Sequence, residues 1–170
     1  MQDKRLVFDT IPERFDKWRG RYCPELFDYL VKACGLNRDK RCLEIGPGTG
    51  QATEFALRTG CEYCAVELGP HLAAVLRAKF GRYENFHLIQ DDFETHPFEP
   101  DSFDMIYSAA AIQWLDETVA YQKCAALLRE DGYLAMFFLR GDYQSPNPAL
   151  YEEIQRVYDA HFVSSIPYDR

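Results

Sequence analysis

The sequence lacks any long hydrophobic run. No stretch approaches the ~20 consecutive apolar residues of a membrane-spanning helix, and residues 1–6 lack the apolar core of a secretory signal peptide. These absences predict a cytoplasmic protein with no membrane partner. With 170 residues, of which 47% are hydrophobic and 15% aromatic, the chain is long enough for one globular domain with a substantial core.

Positive charge is also scarce. The chain has 19 Lys and Arg against 27 Asp and Glu, which gives a net charge of −8. Proteins that bind the phosphate backbone rely on clustered Lys and Arg. The charge balance therefore predicts that nucleic acid is not the main partner, although a local basic patch would still allow an RNA substrate.

The six cysteines lack the spacing of a metal site. Cys61 and Cys64 form a lone C-x-x-C, with no second pair and no histidine pair beside it. Three residues apart on an extended strand, they would face opposite sides of a sheet. We therefore expect buried free thiols and no metal.

A strand, a glycine turn and a helix are predicted in residues 40–53. Arg41–Ile45 is apolar-rich, and Gly46, Gly48 and Gly50 follow it at alternate positions. This arrangement aims free backbone N–H groups at a ligand, and glycine is required because the turn needs positive φ and no Cβ in the way.

The ligand is indicated by two acids and by the glycine register. Glu67 comes 21 residues after Gly46, at the end of a second predicted strand, where an acid accepts hydrogen bonds from a ribose. Gln51 stands where a dinucleotide fingerprint has its third glycine, and Glu44 would repel a pyrophosphate but attract a cation. The predicted ligand has a ribose, a positive charge and no phosphate.

These residues and three later segments resemble one family in order and spacing, over roughly Phe8–Leu139. They resemble the class I S-adenosylmethionine-dependent methyltransferases. The matching segments are Glu44–Gly50, Glu67, Asp91–Phe93, Phe103–Ser108 and Leu127–Leu134.

The resemblance implies an α/β fold, a Rossmann-like three-layer sandwich with a mainly parallel sheet. Five strands are predicted where the family has seven, so the C-terminal strands are apparently missing, and an open sheet edge makes a homodimer a further expectation. The predicted organisation is a single methyltransferase domain over 1–170, with a helical cap (1–38), a cofactor-binding core (39–139) and a turn-rich segment plus helix (140–170). The predicted strands are Arg41–Ile45, Glu62–Glu67, Phe86–Gln90, Phe103–Tyr107 and Tyr133–Leu139.

The resemblance also implies S-adenosyl-L-methionine as cofactor. It assigns one aspartate after the third strand to the adenine amino group, and the spacing to Phe93 favours Asp92 over Asp91. The expected cofactor-binding residues are Glu44, Gly46, Gly48, Gly50, Gln51, Glu67, Leu68, Asp91, Asp92, Phe93, Ser108 and Ala109.

The methyl acceptor is predicted to be a small molecule. After the fourth strand the chain lacks the Asn/Asp-Pro-Pro-aromatic run of base-amino methyltransferases and the Pro-Cys of cytosine-carbon enzymes. Ile112–Leu115 instead resembles the trans-aconitate methyltransferases. The candidate acceptor-binding residues are Arg21, Tyr22, Gln113 and Trp114, although Tyr22 and Trp114 would equally suit simple packing roles.

The predicted reaction is methyl transfer to oxygen or nitrogen, with a carboxylate as one candidate acceptor. A carboxylate needs no general base, and Arg19 or Arg21 would orient it; no catalytic residue is assigned. Two alternatives stay open at this point. One is a catalytically idle S-adenosylmethionine-binding or regulatory module, and the other is an NAD-dependent oxidoreductase, which the glycine register and Glu44 disfavour.

Overall fold

The computed structural model describes residues 3–139 and 147–161. The chain divides into two compact units, residues 1–139 and 140–170. The second unit contributes helix α6, Pro148–His161. Residues 140–146 of the predicted turn-rich segment lie outside the described residues. All features below belong to the first unit.

Five parallel strands form one sheet in the order β3-β2-β1-β4-β5. This confirms the predicted α/β fold with a parallel sheet. The strand order reverses between β1 and β4, since the chain first adds β2 and β3 on one side of β1 and then returns to its other side. Ligands of such sheets bind at this switch point, beyond the carboxyl ends of the strands. The strands are β1 (Arg41–Ile45), β2 (Glu62–Glu67), β3 (Phe86–Gln90), β4 (Phe103–Ala109) and β5 (Leu128–Phe137).

The first unit has five α-helices, of which two precede β1 and three connect consecutive strands. Three of them begin at a proline, whose missing N–H would have no partner in the first helical turn. Three short 3₁₀ helices lie at Lys4–Leu6, Phe8–Thr10 and Ile112–Trp114. The α-helices are α1 (Pro12–Trp18), α2 (Pro24–Cys34), α3 (Glu54–Arg58), α4 (Pro70–Phe80) and α5 (Glu117–Leu127).

The sheet is buried on both faces, which gives three layers. Neighbouring strand residues alternate between two cores: Cys42 packs with residues of α2, α3 and α4, whereas Leu43 packs with residues of α5. Cys61 and Cys64 belong to different cores, as their spacing predicts. All six cysteines are free thiols, and four of them are buried.

Strand β5 begins earlier than predicted. We expected a turn at Asp131 and Gly132 with a strand from Tyr133, but pairing with β4 already starts at Leu128. The register then shifts before Tyr133, and Asp131 has a φ of +63°. The expected turn is therefore a bulge within the strand, because β4 offers partner groups on both sides of it.

Two further searches cover only the described ranges. None of the helices in residues 3–139 and 147–161 is long and apolar enough to cross a membrane. Within the same ranges, no three His, Cys, Asp or Glu side chains converge to form a group that could hold a metal ion.

Candidate functional site

A cleft opens beyond the carboxyl ends of β1 to β4. It contains about 900 Å³ of space, part of it open to solvent. The glycine loop between β1 and α3 forms one side, the residues after β2, β3 and β4 form others, and the N-terminal segment reaches over it. The lining residues are Arg5, Phe8, Phe15, Arg19, Tyr22, Ile45, Gly46, Pro47, Gly48, Gln51, Ala52, Val66, Glu67, Leu68, Leu72, Asp91, Asp92, Phe93, Ala109, Ala110, Ala111, Trp114 and Leu115.

The glycine loop approaches the end of β4 closely. Gly46 has a φ of +63°, and a Cβ at this position would lie 2.6 Å from the Cβ of Ala111. Its N–H donates to the carbonyl oxygen of Val66 on β2 at 2.9 Å. Only glycine satisfies both the left-handed conformation and this close approach, so the loop connects the ends of three strands.

Glu67 lies at the end of β2 between two backbone donors. Its Oε2 accepts a hydrogen bond from the N–H of Gly48 at 2.9 Å, and its Oε1 accepts one from the N–H of Gly69 at 2.8 Å. The side chain is buried within the lining of the cleft. Burial is the main cause that raises the pKa of Glu67 to about 7; the carboxylates of Asp9 and Glu44 act in the same direction, and the two N–H donors oppose it.

The raised pKa predicts that stability falls as the pH rises. The folded protein holds a proton on Glu67 between pH 4.5, its ordinary pKa, and about pH 7, whereas the unfolded chain releases it. Unfolding is then favoured by about 3 kcal/mol more at pH 8 than at pH 4.5 from this group alone. Urea titrations of the unliganded wild type and of Glu67→Gln at several pH values measure this change in the free energy of unfolding. A wild-type protein that loses no more stability than the variant over this range contradicts the prediction.

Glu44 does not line the cleft. It is fully buried on the face of β1 that packs against α2, α3 and α4. Its Oε2 accepts hydrogen bonds from Thr53 Oγ1 at 2.7 Å, from the Tyr107 hydroxyl at 2.8 Å and from the Tyr63 hydroxyl. Its Oε1 has no partner among the described residues. Burial raises the pKa of Glu44, and the three hydroxyls oppose this. The contacts show Glu44 joining β1 to β2, β4 and Thr53, the residue at the start of α3.

Asp91 and Asp92 both line the cleft, and both have side-chain partners. The Arg5 guanidinium donates to Asp92 Oδ1 at 3.1 Å and to Oδ2 at 2.8 Å, and it also pairs with Glu94 at 2.6 Å. Asp91 Oδ2 lies 2.7 Å from Nδ1 of His96, a hydrogen bond that lowers the pKa of Asp91. Neither carboxylate is free, so the geometry does not choose between them.

The N-terminal segment is attached to the cleft by residues that the sequence analysis missed. Asp9 Oδ1 accepts hydrogen bonds from the backbone N–H groups of His71 and Leu72, at 2.8 and 2.9 Å, at the start of α4. The ring of Phe8 lies 4.9 Å from that of Phe15 and 6.2 Å from that of Trp114. Because these partners are far apart in sequence, no local pattern indicated them.

The four candidate acceptor residues divide into two groups. Tyr22 and Trp114 line the cleft, whereas Arg21 and Gln113 do not. Arg21 Nη2 donates to the carbonyl oxygen of Asp16 at 3.1 Å, and Gln113 Nε2 donates to that of Ala110 at 3.0 Å.

Ser108 and Gly50 also lie off the lining. Ser108 Oγ donates to the carbonyl oxygen of Ile45 at 3.2 Å and accepts from the N–H of Ile112 at 2.9 Å. These bonds hold the backbone of Ala109, which does line the cleft. The other predicted residues on the lining are Gly46, Gly48, Gln51, Glu67, Leu68, Asp91, Asp92 and Phe93.

Comparison with known proteins shows which family the chain belongs to. Residues 43–136, more than half of the chain, match the family described as the methyltransferase domain. A malonyl-[acyl-carrier protein] O-methyltransferase of Enterobacter lignolyticus is 31% identical over 116 residues, 68% of this chain and 45% of that protein. An uncharacterized methyltransferase of Mycobacterium tuberculosis is 29% identical over 135 residues, 79% of this chain and 53% of that protein.

Two further likenesses cover different shares of the chain. A small-subunit ribosomal RNA methyltransferase A of Synechococcus is 37% identical, but over 83 residues, 45% of this chain and 29% of that protein. A crystal structure of an S-adenosylmethionine-dependent methyltransferase from Aquifex aeolicus superposes with a TM-score of 0.65 at 13% identity, over 88% of this chain and 86% of that one. The chain spans about half the length of the Mycobacterium and Enterobacter relatives. It belongs to the methyltransferase domain family, the class I S-adenosylmethionine-dependent methyltransferases that its glycine loop and strand ends resemble.

Proposed function

We propose that the cleft binds S-adenosyl-L-methionine and that the protein transfers its methyl group to an oxygen or nitrogen atom of a small molecule. The observation that carries the proposal is the placement of Glu67. Its carboxylate lies at the end of β2, oriented by the N–H groups of Gly48 and Gly69 and facing the cleft. In this position it accepts hydrogen bonds from the ribose hydroxyls of the cofactor.

The adenine ring would lie beside the residues that follow β2 and β3. Leu68 and Phe93 supply apolar surface there, and Asp91 or Asp92 supplies the acceptor for the adenine amino group. Asp92 is held by Arg5, so adenine contact with Asp92 requires that this carboxylate serve both partners or that Arg5 move. Asp91 is the more exposed of the two.

Methyl transfer requires little covalent catalysis by the protein. The sulfonium is already an activated leaving group, and most of the rate comes from holding the acceptor atom about 3 Å from the methyl carbon, in line with the C–S bond. The bend at Ala110, whose φ is +60°, lets the backbone of residues 109–111 line the cleft beside the glycine loop. We assign this backbone to the positioning of the reacting groups, without a general base.

A carboxylate oxygen is the favoured acceptor atom. The malonyl-[acyl-carrier protein] O-methyltransferase relative is named for O-methylation of a malonyl compound, and it matches over two thirds of this chain. The ribosomal RNA relative matches less than half of the chain, and the net charge of −8 does not favour an RNA partner. A cytoplasmic location and a homodimer stay predictions.

The Arg5 contacts predict that the N-terminal segment slows exchange of the cofactor. Arg5→Ala removes the bonds to Asp92 and Glu94, so residues 3–10 open more often. We expect S-adenosylhomocysteine to associate and dissociate about fivefold faster, because a partly buried pair contributes on the order of 1 kcal/mol. Stopped-flow tryptophan fluorescence measures both rates. Lys4→Ala is the matched control, since Lys4 is exposed and has no ion pair among the described residues; equal rates for the two variants contradict the prediction.

The proposal is tested first by binding and then by turnover. Calorimetry should show micromolar binding of S-adenosylhomocysteine and no binding of NAD, which would exclude an oxidoreductase. Tritiated S-adenosylmethionine is then offered with a panel of carboxylic acids, phenols and amines. Methylation of a panel member supports the enzyme. Cofactor binding without methylation of any panel member supports the idle module instead.

A further inference from the structure

Two arginines line the cleft, and they differ in their partners. Arg5 is surrounded by the carboxylates of Asp3, Asp92 and Glu94. Arg19 has no carboxylate within ion-pair distance among the described residues. Its guanidinium lies 5.7 Å from the centroid of the Phe15 ring, a cation–π contact. A half-buried cation that lacks a counter-ion in a largely apolar cleft favours an anionic ligand.

Arg19 is linked to the glycine loop through the ring of Phe15. A Cβ on Gly48 would lie 3.0 Å from Cε1 of Phe15, the ring that Arg19 contacts. Gly48, Phe15 and Arg19 all line the cleft. Arg21, two residues on, instead bonds to the carbonyl oxygen of Asp16, outside the cleft. The two neighbouring arginines thus differ in two respects: Arg19 lines the cleft and has no carboxylate partner, whereas Arg21 lies off the lining and pairs with Asp16.

Tyr22 supplies a second donor beside Arg19. Its ring is fixed edge-on by Phe137, with centroids 5.0 Å apart, and the residue lines the cleft. Burial raises the pKa of Tyr22 while the charge of Arg19 opposes it, so the phenol keeps its proton and lies close to the guanidinium. Its side-chain hydrogen bond is with Arg19, and because a guanidinium can only donate, the phenol proton can still be donated to a ligand.

We propose that Arg19, with the Tyr22 hydroxyl, is the carboxylate-binding site of the cleft. A guanidinium presents two parallel N–H donors that match a carboxylate, and the phenol adds a third. This inference rests on the proposed function, because the carboxylate comes from one of its two substrates. The two sources are the α-carboxylate of the cofactor and a carboxylate on the methyl acceptor.

The experiment compares Arg19→Met with Arg21→Met in the full chain. Methionine keeps an apolar stem on Phe15, so the fold is expected to survive, which circular dichroism and a urea midpoint check. Affinities for S-adenosylhomocysteine and for 5′-methylthioadenosine, which lacks the amino-acid part, are measured for wild type and both variants. Methylation of the acids found in the panel is measured beside them.

The site binds the cofactor if Arg19→Met loses about tenfold to a hundredfold in affinity for S-adenosylhomocysteine while its affinity for 5′-methylthioadenosine is unchanged. The site binds the methyl acceptor if the cofactor affinity is unchanged while kcat/KM falls by a similar factor for acids but not for phenols or amines. In both cases Arg21→Met should behave as wild type. Arg19→Lys should recover only part of the loss, since lysine lacks the paired donors.

Two results overturn the inference, and they differ from each other. If Arg19→Met binds S-adenosylhomocysteine and methylates acids as the wild type does, the carboxylate site is wrong while the proposed function stands. If the wild type itself binds neither adenosyl ligand, the proposed function fails and the inference fails with it.

Discussion

Glu67→Ala should weaken the binding of S-adenosylhomocysteine by at least about a hundredfold. The carboxylate is already oriented by the N–H groups of Gly48 and Gly69, so no reorganisation is needed when the ribose arrives. Two hydrogen bonds to a charged acceptor contribute about 1.5–3 kcal/mol each, and about 1.4 kcal/mol corresponds to a tenfold change in affinity. Alanine also leaves two backbone donors at the edge of the cleft without their acceptor.

Calorimetry on wild type, Glu67→Ala and Glu62→Ala measures the affinity for S-adenosylhomocysteine and shows whether the loss is specific to Glu67. Glu62 starts the same strand but is exposed and pairs with Arg41 at 3.0 Å, at the far end from the cleft. Its variant should bind as the wild type does. Because the ribose hydroxyls donate to the ionised form, wild-type affinity should also rise with pH until about 7, the pKa of Glu67. Binding by Glu67→Ala within about threefold of wild type would mean that the ribose lies elsewhere.

Gly50→Ala should destabilise the protein by about 2–5 kcal/mol. Gly50 has a φ of +87°, and a Cβ there would lie 2.3 Å from Cε2 of Phe80 and 3.2 Å from Cδ2 of Leu76. The left-handed conformation costs about 1–2 kcal/mol for a residue with a side chain, and overpacking a core costs about 1–3 kcal/mol more. Since domains of this kind are stable by about 5–15 kcal/mol, a large share of the stability is lost.

Urea titration of Gly50→Ala beside Gly35→Ala measures this loss and separates the cost of the left-handed backbone from the cost of overpacking. Gly35 ends α2 with a φ of +60°, but no atom lies within 4 Å of a Cβ built there. Its variant should lose only the backbone part, about 1 kcal/mol. Equal losses at the two positions would show that packing of α4 against the glycine loop contributes nothing, contrary to the short distances at Gly50.

The sequence by itself determined the order of the five strands, the bounds of three of them and the candidate cofactor residues at the strand ends. The bounds of β1, β2 and β3 agree with the prediction, because short apolar-rich runs and the glycine and proline residues between them are local signals. The positions of Gly46, Gly48 and Glu67 around one cleft follow from parallel strands, whose carboxyl ends meet at one edge.

Other features depended on contacts that no local pattern encodes. Glu44, two residues before the first glycine, was expected to face the ligand. It lies instead on the face of β1 that packs against α2, α3 and α4, where Tyr63 and Tyr107 from two other strands donate hydrogen bonds to it. Likewise, β5 continues through a predicted turn because β4 pairs with it on both sides of the bulge. In each case the deciding partner belongs to another strand.

The N-terminal segment also combines features that the sequence indicates with features that only the tertiary structure decides. The sequence indicated a basic and aromatic stretch there, but only the tertiary structure decided that Arg19 lines the cleft while Arg21 bonds to Asp16. It also brought Arg5 to Asp92, 87 residues away. Side-chain direction at a helix end depends on what packs beside it, and that neighbour exists only once the chain has folded.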